Sequence, residues 1–305
     1  MLNIEYSNEV KNALVNNLPI VALESTIISF GMPYPENVKV AKECEERVRK
    51  HGSVPAIIAI INGKIKVGLN EEELEFMAKS NDIIKVSRRD LPYIVSLKLN
   101  GATTVASTMM IASMAGIKFF ATGGIGGVHR GFSEAMDVSA DLEELARTNV
   151  TVVSAGAKSI LDLEKTLEYL ETKGVLVVGY KTDELPAFFT NKSGIKVPKR
   201  MDDALDIALM IKTKEDLGIT SGLLITNPIS DEYSLDKAYI DNAINEALKL
   251  AKEQDIKGKD ITPFLLFKIN EITKGSSLEA NIHLVYSNCE LASTICKAYN
   301  YLKNK

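Results

Sequence analysis

The sequence predicts an α/β protein with three layers, α/β/α, around a mainly parallel central sheet. Two observations predict it. Short apolar, β-rich runs alternate with amphipathic helical stretches along most of the chain, the pattern of strands crossed over by helices. The unusual polar residues also fall at the carboxyl ends of those runs, where ligands bind in such sheets.

The elements follow in order. A helix over 7–17 leads to a strand at Pro19–Glu24, and residues 36–51 form a helix with Val38, Ala41 and Val48 on one side. Ala56–Ile61 and Lys64–Leu69 flank Asn62-Gly63, a hairpin signal. A helix over 71–79 precedes a strand at Ile83–Val86, and residues 90–116 read as two helices broken near Asn100-Gly101. Lys118–Ala121 is a buried strand, Ser139–Arg147 a helix with a cap serine, and Thr151–Ala155 a strand. Ser159–Lys173 carries Ile160, Leu163, Leu167 and Leu170 on one face, which predicts a helix. A strand at Val175–Val178 and an irregular stretch over 181–200 come next. Helix 201–214, strand Gly222–Thr226 and helices 235–254, 261–273 and 277–302 complete the chain. With neither repeat nor low-complexity linker, residues 1–305 are expected to form a single domain.

Composition excludes several classes. The chain has 305 residues, 46% apolar and 25% charged, enough for a sizeable core. A net charge of −4 argues against a nucleic-acid surface. Cys44, Cys289 and Cys296 form no CxxC pattern and read as reduced thiols of a cytoplasmic protein. MLNIEYSNEV lacks the features of a signal peptide, and no apolar stretch suggests a membrane span.

The segment ATGGIGGVHRGFSEAMDVSAD (121–141) is the densest in candidate chemistry. Gly123, Gly124, Gly126, Gly127 and Gly131 predict a backbone that approaches something closely or takes positive φ repeatedly. It is neither a P-loop nor a dinucleotide fingerprint, because GK[ST] is absent and the frame from Gly124 meets His129 at its last glycine. His129 and Arg130 lie in this loop. Asp137, Ser139 and Asp141 offer hard oxygens that suit Mg²⁺ or Mn²⁺, or equally helix caps. The three histidines are too scattered for a zinc site.

Elsewhere, Glu24 ends an apolar strand. It is either an acid–base group with a raised pKa or a carboxylate capping the next turn. Lys158 is expected at a helix start, where the dipole opposes its charge and favours a free amine able to form a Schiff base; the other reading is a solvated surface lysine. Lys85 with Arg88 and Arg89 suits phosphate, unless the arginines are solvated or pair with Asp90. Thr103 and Thr104 are expected at a helix start, as a phosphate site or simple caps.

Several runs carry a family resemblance: ALESTIISFGMPYPEN (22–37), KVSRRDLP (85–92), GATTVAST (101–108), ATGGIGGVHRG (121–131), DVSADLEEL (137–145), SAGAKSILDL (154–163), LPAFF (185–189), GLLITNPI (222–229), TPFLL (262–266) and SLEANIHLV (277–285). Together they resemble the pseudouridine-5′-phosphate glycosidase family, also called indigoidine synthase A-like. The resemblance implies reversible cleavage of the C–C glycosidic bond of pseudouridine 5′-phosphate to uracil and ribose 5-phosphate, an activity also classed as a carbon–oxygen lyase. It implies Glu24 as proton donor, Lys158 as nucleophile and Asp137 as ligand of one Mn²⁺ or other divalent ion per subunit. Lys85, Thr104, Val105, His129, Ser139, Ala140, Asp141 and Asn281 are implied substrate contacts, and the assembly is implied to be a homotrimer. Phe30 departs from the pattern, standing where the family's S-H-G-M-P run has histidine, and 190–215 matches poorly. A Schiff-base lyase of another sugar phosphate, or a non-catalytic sensor, are the rival readings.

Overall fold

The computed structural model describes residues 4–130, 136–256, 258 and 261–305. Gly131 and the residues up to 135 lie outside the described residues.

An eleven-stranded sheet organises the chain. Its amino-terminal portion holds β1 (Ile4–Tyr6), α1 (Asn8–Val15), β2 (Ile20–Leu23), a π-helical turn (Ile27–Gly31) and α2 (Glu36–Lys50). β3 (Val54–Ile61), β4 (Lys64–Val67), α3 (Glu71–Lys79) and β5 (Ile83–Val86) follow. Next come α4 (Leu91–Ser96), β6 (Asn100–Thr103), α5 (Val105–Met114) and β7 (Phe119–Ala121). β8 (Val128–His129), α6 (Ala140–Arg147), β9 (Thr151–Ser154), β10 (Leu161–Asp162) and α7 (Leu163–Thr172) lead into the second half. There lie β11 (Leu176–Tyr180), β12 (Lys199–Met201), α8 (Ala204–Asp216) and β13 (Leu223–Thr226). Helices α9 (Lys237–Glu253), α10 (Ile261–Ile272) and α11 (Ser276–Lys303) close the chain.

The expected parallel sheet is observed. Seven strands run parallel in the order β3–β2–β7–β9–β13–β11–β12. Strands β2, β7, β9 and β13 are wholly buried, as continuous apolar runs covered on both faces should be. Beyond Ile57, β3 pairs antiparallel with β4 and β6, so the sheet branches at that edge. Helix α11 lies along β2, β7 and β9, while α5 packs on β2, β3 and β7. Most of α5, Val105–Met109 with Ile111 and Ala112, is buried, as a largely apolar helix between layers should be.

Three expectations are corrected. Asn100-Gly101 does not break a pair of helices but opens β6, which pairs with both β5 and β3. Gly101 is required there, because a Cβ would stand 2.5 Å from the Val86 side chain. The helix expected from Ser159 begins at Leu163, with Asp162 accepting from the Lys165 amide as its N-cap (3.1 Å). Residues 161–162 are instead drawn into pairing with 128–129. Lys158 is therefore not at a helix start, and the dipole argument for it lapses. Lastly, among the glycines of the rich loop that are described, none has positive φ.

Candidate active site

Three neighbouring parallel strands deliver three polar side chains to one place. Glu24 follows β2 directly, Thr122 follows β7 directly, and Lys158 comes four residues after β9. Gly156, at φ +80°, turns the chain after β9, and the Lys158 amide donates to the Ile125 carbonyl (3.1 Å). These groups meet in a cleft of about 1060 Å³ beyond the strand ends.

Glu24 sits half-buried at the floor of this cleft. The Thr122 hydroxyl donates to its carboxylate. Thr122 is itself held from below, since Asn288 Nδ2 donates to its carbonyl (2.8 Å) and Asn227 Nδ2 donates to Asn288 Oδ1 (3.0 Å). Behind Glu24 lies a second cavity of about 420 Å³, walled by Leu23, Ile28, Met32, Val40 and Ile57. Burial against this apolar wall pushes the Glu24 carboxyl above its ordinary range, and Asp141 pushes the same way. The Lys158 ammonium, the Thr122 hydrogen bond and Lys85 pull in the opposite sense without reversing the shift.

Further polar residues line the cleft. Lys85 reaches it from β5 and Thr104 from the residue before α5. Thr104 leaves its hydroxyl out of helix capping, and Val105 is the first helical residue, so α5 presents its amino-terminal end to the cleft. Ser139 and Ala140 enter from the start of α6, His129 from β8 and Asn281 from α11. Asn281 is buried and its Oδ1 has no protein hydrogen-bond partner, an acceptor facing a ligand space.

Asp141 also lines the cleft, yet both its oxygens are engaged by the backbone. Ala106 N donates to Oδ1 (2.9 Å) and Gly126 N donates to Oδ2 (2.8 Å). Asp141 thus ties the start of α5 to the glycine-rich loop. The glycines serve this closeness. At Gly126 a Cβ would lie 2.5 Å from Ser139 Cβ and 2.8 Å from Asp141 Oδ2; at Gly124 it would meet the Phe188 ring at 2.6 Å. What the loop approaches is its own protein.

Asp137 stands apart from Glu24 and Lys158. It lines a wider adjoining recess of about 2870 Å³, which shares Lys85, His129, Ser139 and Ala140 with the cleft. Its carboxylate lies 3.8 Å from His129 Nδ1, and burial, with Lys158 and Lys85, keeps the His129 pKa below its ordinary value despite Asp137. A neutral imidazole leaves room for a cation beside Asp137. Among the described residues no group of three His, Cys, Asp or Glu side chains gathers there, so an ion at Asp137 would complete its shell with water and ligand oxygens. That donor set suits a hydrated hard cation such as Mg²⁺ or Mn²⁺.

The basic run around Lys85 disperses. Arg88 Nη1 pairs with Glu144 Oε2 (2.6 Å), a carboxylate buried in α6, and Arg89 is exposed. Sequence reasoning missed Thr122, whose role depends on β7 lying beside β2. It also missed Pro263 and Leu266, which line the cleft together with Phe30, although both lie within the run at 262–266.

Known proteins resemble this chain over nearly its whole length. A family model described as indigoidine synthase A like protein matches residues 9–298. The pseudouridine-5′-phosphate glycosidase of Petrotoga mobilis is 61% identical over 98% of each chain. That of Staphylococcus aureus is 60% identical over 98% of this chain and 97% of its own. Among solved structures, the prealnumycin C-glycosynthase AlnA in complex with ribulose 5-phosphate superposes with a TM-score of 0.92 at 38% identity, covering 100% of this chain and 99% of its own. An indigoidine synthase A-like protein of Thermotoga maritima does so at 0.89 and 35%, covering 98% and 97%. On a match running from Glu9 to Ala298, this chain belongs to the indigoidine synthase A-like family.

Proposed function

We propose that the protein reversibly cleaves the C1′–C5 bond of pseudouridine 5′-phosphate, giving uracil and ribose 5-phosphate. The names of its relatives support this, and the observation that carries it is the meeting of Glu24, at the end of β2, with Lys158, from the turn after β9, in one cleft. A C–C glycoside has no exocyclic oxygen to protonate, so paired-carboxylate glycoside hydrolysis does not apply. A raised carboxyl beside a primary amine supports another route.

In that route the Lys158 amine bonds to C1′ while the C1′–O4′ bond breaks, and Glu24 gives its proton to O4′. The new ammonium returns a proton to Glu24. The nitrogen lone pair then forms C1′=N as the C1′–C5 bond breaks, and C5 takes the proton from Glu24, releasing uracil. Water hydrolyses the imine to ribose 5-phosphate and the amine. Lys85, Thr104 and the Val105 amide at the start of α5 hold the phosphate, and Asn281 Oδ1 accepts from a ring N–H. Asp137 would hold the divalent ion, which supplies positive charge to ligand oxygens when bound. A homotrimer, a cytoplasmic location and classification as a lyase belong to the same reading.

The test is incubation with pseudouridine 5′-phosphate and Mn²⁺, following free uracil. Expected are uracil release, its loss in Glu24→Ala and Lys158→Ala with folding retained, and a borohydride-trapped adduct with ribose 5-phosphate that Lys158→Ala abolishes. Absence of uracil release sinks the activity; an adduct that survives Lys158→Ala sinks the imine. Chelation should lower activity in the parent, and Asp137→Ala should remove the dependence on added metal.

A further inference from the structure

We propose that Phe30 is the platform on which the planar heterocycle of the substrate stacks, supplying affinity for the base rather than a choice among bases. The inference rests on the proposed function. In a 5′-phosphorylated C-nucleoside the base and the phosphate lie at opposite ends, with C1′ beside the base. The lining of the cleft holds groups suited to each part: Lys85 and Thr104 for the phosphate, Glu24 and Lys158 for C1′, and an apolar set of Phe30, Pro263 and Leu266 for the base.

Phe30 is 38% exposed, an aromatic ring left facing the cleft and solvent. The turn that carries it is fixed from behind. Ile28 is buried, Ser29 Oγ donates to the Met77 carbonyl (2.8 Å), and Asn37 Nδ2 donates to the Ile28 carbonyl (2.8 Å). Helix α10 packs against the same turn and brings Pro263 and Leu266 to the cleft. The turn is π-helical, a geometry that recurs at functional sites. A well-anchored backbone that presents an aromatic ring to a ligand space is suited to stacking, and such stacking tolerates different bases because each has a π-face. The Phe30 ring has no hydrogen-bonding atom. It reads flatness, while any reading of the base edge falls to groups such as Asn281.

The experiment compares Phe30→Ala, Phe30→Leu and Phe30→Tyr with the parent by calorimetric titration. Ribose 5-phosphate is titrated alone, and uracil in its saturating presence. Expected in Ala and Leu is uracil binding weakened about fivefold to a hundredfold, the range of a lost base–aromatic stack. Ribose 5-phosphate should stay within about twofold, and Tyr should restore uracil binding. Leu keeps the apolar volume, so it still decides the matter if Ala does not fold. Uracil binding unchanged in Leu, or both ligands weakened equally in every variant, overturns the proposal. A parent that binds both ligands but releases no uracil defeats the proposed activity alone, and the titrations still decide Phe30.

Discussion

Asp141 offers the sharpest test of what the glycine-rich loop does. Its two oxygens accept from Ala106 N and Gly126 N, at 2.9 and 2.8 Å, inside a protein region where Asp141 is buried. Asp141→Ala leaves two backbone donors without partners. Hydrogen bonds to a charged group contribute about 1.5–3 kcal/mol each, so the two together are worth about 3–6 kcal/mol. Unfolding entropy of about 2.1 cal/mol/K per residue, over 305 residues, makes 1 kcal/mol worth about 1.6 °C. The variant should therefore melt about 5–9 °C below the parent, and Asp141→Asn, which keeps one carbonyl acceptor, about half as far below. The assay is calorimetric melting beside uracil-release kinetics. A residue that only touches substrate would change KM and leave the melting temperature alone. If Asp141→Ala melts within about 2 °C of the parent while KM rises, the clasp is wrong and direct substrate contact is right.

Other predictions follow from the same geometry. Glu24→Gln should lower uracil release at least about a hundredfold while the fold is kept, as expected for loss of a general acid. Because burial raises the folded-state pKa of Glu24 above 4.5, stability from this group is complete below the ordinary value and lost as pH rises through the folded one. Glu24→Gln should therefore melt higher than the parent at pH 8 and match it near pH 4, measured by thermal denaturation. Thr122→Val removes a donor to the carboxylate, so the Glu24 pKa should rise further and the alkaline limb of kcat against pH should move to higher pH. Arg88→Ala should destabilise by stranding Glu144 yet leave KM within about twofold, whereas Lys85→Ala should raise KM about tenfold or more by removing a charged phosphate contact.

Much of this arrangement was legible in the sequence where a run of residues carried its own physics. Strands β2, β7, β9 and β13 are short, apolar and closed by polar residues, which marked both the sheet and its ligand-binding edge. Strand β6, Asn-Gly-Ala-Thr, carries no apolar alternation, and its pairing is set by Val86 and Ile94 packing where Gly101 has no side chain. The start of α7 misled because Ile160 and Leu163 keep the helical period, while the pairing of 161–162 with 128–129 overrides it. In the site, Glu24 stood out as an acid closing an apolar strand. Thr122 did not, since an ordinary threonine gains its role only when the sheet order sets β7 beside β2. The glycines signalled crowding correctly, but whether a ligand or the protein itself was the crowding partner is a fact of tertiary structure.

The sheet order also fixes the strand ends from which the acid and the amine set out. Strands β2 and β9 are separated by β7 alone, and neighbouring strands lie about 4.8 Å apart, so their ends are about 10 Å apart. Glu24 reaches the cleft directly from the end of β2, while Lys158 returns to it four residues beyond β9, where its amide donates to the Ile125 carbonyl. Glu24→Asp keeps the carboxyl and its apolar backing but shortens the reach by one methylene, drawing the acid back from the hydroxyl and the amine. Misplacing a reacting group by about 1 Å costs about a hundredfold in rate. Glu24→Asp should therefore lose about two orders of magnitude in kcat for uracil release, with melting temperature and ribose 5-phosphate affinity close to the parent. Near-parental turnover would mean that an acidic proton anywhere on the cleft floor suffices, and that the reach of the Glu24 side chain does not set the chemistry.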